Sequence, residues 1–170
     1  VCRAVADPNL VLGTGNGQFA QAIDCGLSLA TGSGPPGQPL IADFDRDGIV
    51  DLVANDTVLL GMQGCNFTRL VSFPSAYGSA LPLTTGDFNG DGSIDIAFAS
   101  WDGIGFMPGD GRGNFGTVVK LGDLDSYVPN DHPIQPNMTI AVAGDVNGDG
   151  RLDLIVANQV SIRVFLNTCR

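Results

Sequence analysis

The chain has 170 residues, 44% of them hydrophobic, and 18 acidic residues against 8 basic ones give a net charge of -10 at neutral pH. That length bounds it to one ordinary domain or one short array of repeats, and the charge excludes the basic face that nucleic acid requires. Every acidic residue is Asp, Lys occurs only at Lys120, and 24 Gly and 10 Pro accompany them, so the composition favours strands and turns over helices.

In chain order, residues 10–23 read as strand, Gly-rich turn (GTGNGQF, Gly13 to Phe19) and strand. An acidic loop follows, DFDRDGIVD from Asp43 to Asp51, continuing into the apolar run IVDLVA and then TVLLG. Short runs rich in Val, Ile and Leu between turn signals read as buried strands. The Gly-rich turn GMQGCNF leads to another β-like stretch, FTRLVSF. The sequence then repeats: PLTTG, the loop DFNGDGSID (Asp87 to Asp95), IDIAFA, GIGFMPG, GDGRGNF and FGTVVKL. It repeats again: IAVAG, DVNGDGRLD (Asp145 to Asp153), LDLIVA and SIRVFLN. The loops start 44 and then 58 residues apart, so the second unit carries an insertion, Gly122 to Met138. No apolar run approaches the roughly 20 residues that span a membrane. The chain opens at Val1 without Met or a signal-peptide pattern, as expected of a processed or excised product.

Each loop sets oxygen-bearing side chains at positions 1, 3, 5 and 9 with Gly at 6, a pattern that suits Ca²⁺. Three sites are expected. The first uses Asp43, Asp45, Asp47 and Asp51, with the backbone carbonyl of Ile49. The second uses Asp87, Asn89, Asp91 and Asp95, with that of Ser93. The third uses Asp145, Asn147, Asp149 and Asp153, with that of Arg151. An EF-hand would need Glu at position 12, where Ala54, Phe98 and Val156 stand, and helices on either side. A dockerin needs helices behind its loops as well. The ion's expected role is structural, because clustered carboxylates repel one another until a cation neutralises them. The Gly-rich turns lack the Lys and hydroxyl of a phosphate loop and are read as β-turns.

The stretches GDFNGDGSIDIAFA and FMPGDGRGNFGTVVKLG resemble the FG-GAP/VCBS repeats of integrin-α-type β-propellers. The resemblance implies an all-β fold of four-stranded antiparallel blades, with calcium in the loop between strands 1 and 2 and ligand contacts on the opposite face. The units fall roughly at 1–39 (partial), 40–82, 83–138 and 139–170 (partial), about three to three and a half blades within a single repeat domain. Closed propellers have four to eight blades, so a partial or oligomer-completed propeller is expected. It would be completed by self-association or by the remainder of a larger propeller.

Cys2, Cys25, Cys65 and Cys169 form no CxxC pair, which disfavours zinc and favours disulfides in an oxidising compartment. Four Cys allow three pairings; one of them would clasp Cys2 to Cys169. Sequons at Asn55, Asn66 and Asn137 agree with a secreted or cell-surface glycoprotein. A candidate ligand loop comprises Tyr127, Asp131 and His132 of the insertion, joined by Trp101 and Asp102. The competing reading of the insertion is a Pro-rich spacer. His132 has no Ser in a nucleophile turn to serve, and the Asp clusters are committed to cations, so no catalytic role is expected. The expected function is adhesion or recognition of a protein or glycan. The alternative is a structural subunit of a secreted homo-oligomer or fibre joined through open blade edges.

Overall fold

Alternating β-branched and aliphatic residues between Gly and Asp turns can bury backbone polar groups only by pairing as strands. The computed structural model describes residues 9–10, 14–20, 23–24, 39–54, 57–62, 66–72, 81–100, 103–123, 139–158 and 161–168. Among them there are thirteen strands and no helix. Strands β1 (Asn9–Leu10) and β2 (Ile23–Asp24) form a two-stranded piece. β3 (Leu40–Ala42), β4 (Asp51–Ala54), β5 (Thr57–Met62) and β6 (Asn66–Ser72) form the first full sheet. β7 (Leu81–Gly86), β8 (Asp95–Ser100), β9 (Gly103–Met107) and β10 (Val119–Gly122) form the middle sheet. β11 (Ile140–Gly144), β12 (Asp153–Ala157) and β13 (Ile162–Phe165) form the last, three-stranded among the described residues.

Each sheet is an antiparallel meander in chain order, and each acidic loop joins its first and second strands. The first strands adjoin: β7 lies beside both β3 and β11. The sheets thus stack face to face in a row, with their first strands on one side, as propeller blades do around an axis. Pro82 cannot donate to a ladder, and the β7–β8 register shifts between Pro82 and Thr84.

The period of two along β8 shows why the middle sheet is buried on both faces. Ile96 and Phe98 pack with Met107 against Phe44, Val53 and Val58 of the first sheet. Ala97 and Ala99, with Ile104 and Phe106, pack against Leu154 and Val156 of the last sheet. Fully burying one such aliphatic or aromatic side chain contributes about 1.5–3 kcal/mol. The sheets approach closely beside β7: a Cβ on Gly86 would lie 2.7 Å from Leu152 Cδ1.

Candidate functional site

An Asp whose carboxylate folds back onto following backbone N–H groups makes a tight turn without help from strands. The first Asp of each loop does this. The Gly48 N–H donates to Asp43 Oδ2 (3.0 Å), that of Gly92 to Asp87 Oδ2 (2.8 Å) and that of Gly150 to Asp145 Oδ2 (2.8 Å). Their Oδ1 atoms accept from Asp47, Asp91 and Asp149. The position-3 oxygens of Asp45, Asn89 and Asn147 accept from the same three N–H groups. The position-5 carboxylates then accept from the N–H of Ile49, Ser93 and Arg151. Three loops thus share one hydrogen-bonding scheme.

The ninth residue has a second task that the loop pattern alone does not reveal. Asp51, Asp95 and Asp153 are wholly buried, at 0% exposure. Asp51 accepts from Phe44 N (2.6 Å) and Gly61 N (2.8 Å), Asp95 from Phe88 N and Gly109 N (both 2.8 Å), and Asp153 from Val146 N (3.0 Å) and Asn167 N (2.8 Å). Each carboxylate therefore staples the start of its loop to the end of the third strand. The cue in the sequence was an Asp heading an otherwise apolar strand. Burial pushes the Asp51 and Asp95 carboxyls above the usual range against the pull of these hydrogen bonds, and neighbouring loop carboxylates push them further. Asp91 is held low, first by the Ser93 N–H, and Asp145 first by the Gly150 N–H.

The donor set fits a hard cation. One carboxylate oxygen from each of Asp43, Asp45 and Asp51 lies within 4.8 Å of the others, a repulsive arrangement that a divalent ion relieves. In the other two loops Asn89 and Asn147 replace one carboxylate by a neutral amide oxygen.

Position 4 separates the loops. It takes the left-handed conformation, with Gly90 at φ 77° and Gly148 at φ 78°, but in the first loop it is Arg46, at φ 62°. The Arg46 guanidinium crosses to the middle sheet's loop, where Nη2 donates to the Gly92 carbonyl and to Ser93 Oγ (3.2 Å). It also covers Gly111, where a Cβ would meet Cζ at 2.8 Å. Between the second and third loops Gly90 sends nothing across. A cleft of about 490 Å³ lies there, lined by Asp87, Asn89, Gly90, Gly150, Arg151, Leu152 and Asn167. Arg46 was not singled out from the sequence; its only signal was a long side chain where the other loops have Gly.

Backbone carbonyls at position 2 tie neighbouring sheets. Gly113 N donates to the Phe44 carbonyl (3.2 Å), and Asn167 Nδ2 to that of Phe88 (2.7 Å). Phe44 and Phe115 meet edge to face at 5.4 Å across the first of these junctions.

Several sequence-derived candidates lie outside the described residues: Cys2, Cys25, Cys65, Cys169, Asn55, Asn137, Trp101, Asp102, Tyr127, Asp131 and His132. Asn66 opens β6, and its side chain also lies outside the described set.

No curated protein matches the chain. Among solved structures, a lectin from Agrocybe aegerita, described as recognising non-reducing terminal N-acetylglucosamine, aligns with a TM-score of 0.63 at 19% identity. The alignment covers 95% of this chain and 44% of that one, so this chain spans less than half the neighbour's length. At that identity the likeness speaks for the fold alone, a β-propeller-like array of antiparallel sheets. The FG-GAP-like repeat family matches residues 87–156, the stretch that runs from the second acidic loop through most of β12. Residues 87–156 are thus similar to an FG-GAP-like repeat, a span that takes in the second and third acidic loops, β8 to β11 and most of β12.

Proposed function

We propose that this protein is a calcium-stabilised, non-catalytic recognition module of the extracellular space, and that it binds a glycan in the cleft between its second and third acidic loops. The observation that carries the glycan reading is the composition of that cleft. Asp87, Asn89, Arg151 and Asn167 line it with polar groups beside the aliphatic Leu152. Vicinal hydroxyls pair with such acceptors and donors, and the C–H face of a sugar packs on an apolar side chain. The volume falls within the roughly 300–1,000 Å³ range of small-ligand pockets. The lectin neighbour agrees with this reading.

In the metal reading, Asp43, Asp45, Asp47 and Asp51 hold one Ca²⁺ and the equivalent residues of the other loops hold two more. The ion supplies charge neutralisation, and the chain's own staples hold the blade in register. The test is calorimetric titration of the calcium-loaded protein with N-acetylglucosamine-terminated and other oligosaccharides, beside Gly90→Arg. Saccharide heats in the wild type and their loss in Gly90→Arg, with the circular dichroism of the folded protein retained, are expected. Equal binding by the variant would overturn the cleft assignment, and no binding of any saccharide would overturn the glycan reading.

A second reading, a structural subunit that self-associates, is favoured by the apolar outer face of the last sheet, where Ile140, Val142 and Ile162 are exposed.

A further inference from the structure

Two exposed surfaces of this molecule are the separate halves of a junction that the chain itself builds elsewhere. The model for that junction is the contact between the first and middle sheets. One half is the position-2 residue of an acidic loop: Phe44 is buried at 2% exposure, and its carbonyl accepts from Gly113 N. The other half is the Gly-rich turn that follows the third strand of the next sheet. Its Phe115 ring packs edge-on against Phe44, and Gly111 and Gly113 are buried.

The N-terminal piece repeats that second half. Leu10 pairs with Ile23 and Asn9 with Asp24, as Phe106 pairs with Val119 and Gly105 with Lys120. The turns close alike, Thr14 N donating to Gln18 O (2.9 Å) as Asp110 N does to Asn114 O (3.0 Å). In this register Phe19 stands where Phe115 stands, and Gly15 and Gly17 stand where Gly111 and Gly113 stand. Yet Phe19 is 73% exposed, and a Cβ on Gly15 or Gly17 would meet nothing within 4 Å.

The last sheet repeats the first half. Val146 holds the place of Phe44 and Phe88 but is 53% exposed. Among the described residues no donor reaches its carbonyl. Ile162 and Val164 pair with Ala157 and Ile155 as Ile104 and Phe106 pair with Ala99 and Ala97. In the middle sheet that face is sealed by the last sheet, leaving Ile104 at 2%, whereas Ile162 is 74% exposed. An apolar face of this kind marks an interaction surface rather than a solvated one.

We infer that the two halves meet between copies of this chain: the N-terminal turn around Phe19 docks on the Val146–Ile162–Val164 face of a second copy, head to tail. This rests on the self-association reading above. The occupant follows from complementarity. The face lacks what the turn carries, an aromatic ring and Gly N–H groups, and the internal Phe44–Phe115 junction shows the two fitting. A heterologous contact either closes into a ring or propagates. Two is the smallest number of copies that can close, and a closed pair is the assembly assigned.

Light scattering of the intact chain in calcium should give about 35 kDa, twice 17.6 kDa. Phe19→Ser and Ile162→Glu change side chains exposed within a single copy, so both variants should keep the wild-type circular dichroism and the melting temperature of dilute protein. Each should weaken dimerisation about tenfold or more, as removal of a central anchor does. Mixing the two variants should restore association, because one intact junction survives between the Phe19→Ser copy's outer face and the Ile162→Glu copy's turn. A wild type that stays monomeric at all concentrations overturns both this inference and the self-association reading. Dimers that persist in both variants, or variants that fail to complement, overturn the head-to-tail contact while leaving self-association standing.

Discussion

The first and second acidic loops turn on the same hydrogen bonds but meet their neighbours differently. In the first, position 3 is Asp45 and position 4 is Arg46; in the second they are Asn89 and Gly90. The first loop thus carries one more carboxylate and also a cation, and it sends that cation into the next loop. A left-handed residue other than Gly costs about 1–2 kcal/mol. Arg46 offsets this with two hydrogen bonds and a covered Gly111. The second loop avoids the strain and leaves a cleft. A single position therefore decides whether a junction between sheets is strapped or open, while the turn beneath it stays the same.

The largest effect should come from what the two loops share. Asp95→Ala orphans two buried N–H groups, each worth about 1–3 kcal/mol. Urea unfolding should show a loss of about 3 kcal/mol or more, with a comparable loss for Asp51→Ala. Asp47→Ala, at the exposed rim, should lose far less in calcium-free buffer. Equal losses would break the distinction between staple and rim.

Calcium removal comes next. A ligand of the native state at a hundredfold excess over its Kd stabilises by about 2.7 kcal/mol per site, so excess chelator should lower the melting temperature. An unchanged melting curve would count against all three metal sites. Arg46→Gly should shift stability by no more than about 1 kcal/mol, because relief of strain opposes loss of the strap. It should also open a cleft like the one beside Gly90. A large destabilisation would mean that the strap, not the turn, holds the first junction.

The smallest effect is on pH dependence. In calcium-free protein the raised carboxyls of Asp51 and Asp95 bind protons more readily folded than unfolded. Stability should therefore rise as pH falls from neutral through their folded pKa values toward 3.8, the ordinary value. Asp91 and Asp145, held low, contribute stability above 3.8 that is lost as pH falls through their lower folded values. An optimum at weakly acid pH is expected without calcium. It should move toward neutral when calcium keeps the carboxylates ionised. An optimum that ignores calcium would indicate that the ion and the buried carboxylates act independently.

The sequence made the loops, the strand order and the repeating unit legible, because Asp-Gly turns and period-two apolar runs are local signals. It did not reveal that Asp51, Asp95 and Asp153 are staples as well as expected ligands, since their partners Gly61, Gly109 and Asn167 lie ten to fourteen residues away. Nor did it reveal Arg46, whose acceptor at Gly92 is 46 residues distant. Both depend on which sheet lies beside which, and no local pattern encodes that. The insertion around Tyr127 and His132 drew attention by composition, whereas the cleft drew none, because it is made by a side chain that Gly90 does not have.

The carbonyls of Phe44 and Phe88 are gripped in turn by the following sheet, and β7 of the middle sheet adjoins both β3 and β11. A molecule assembled this way can lengthen by gene duplication without redesign. Each new unit brings its own turn, its own staple and one more acceptor for whatever unit comes after it.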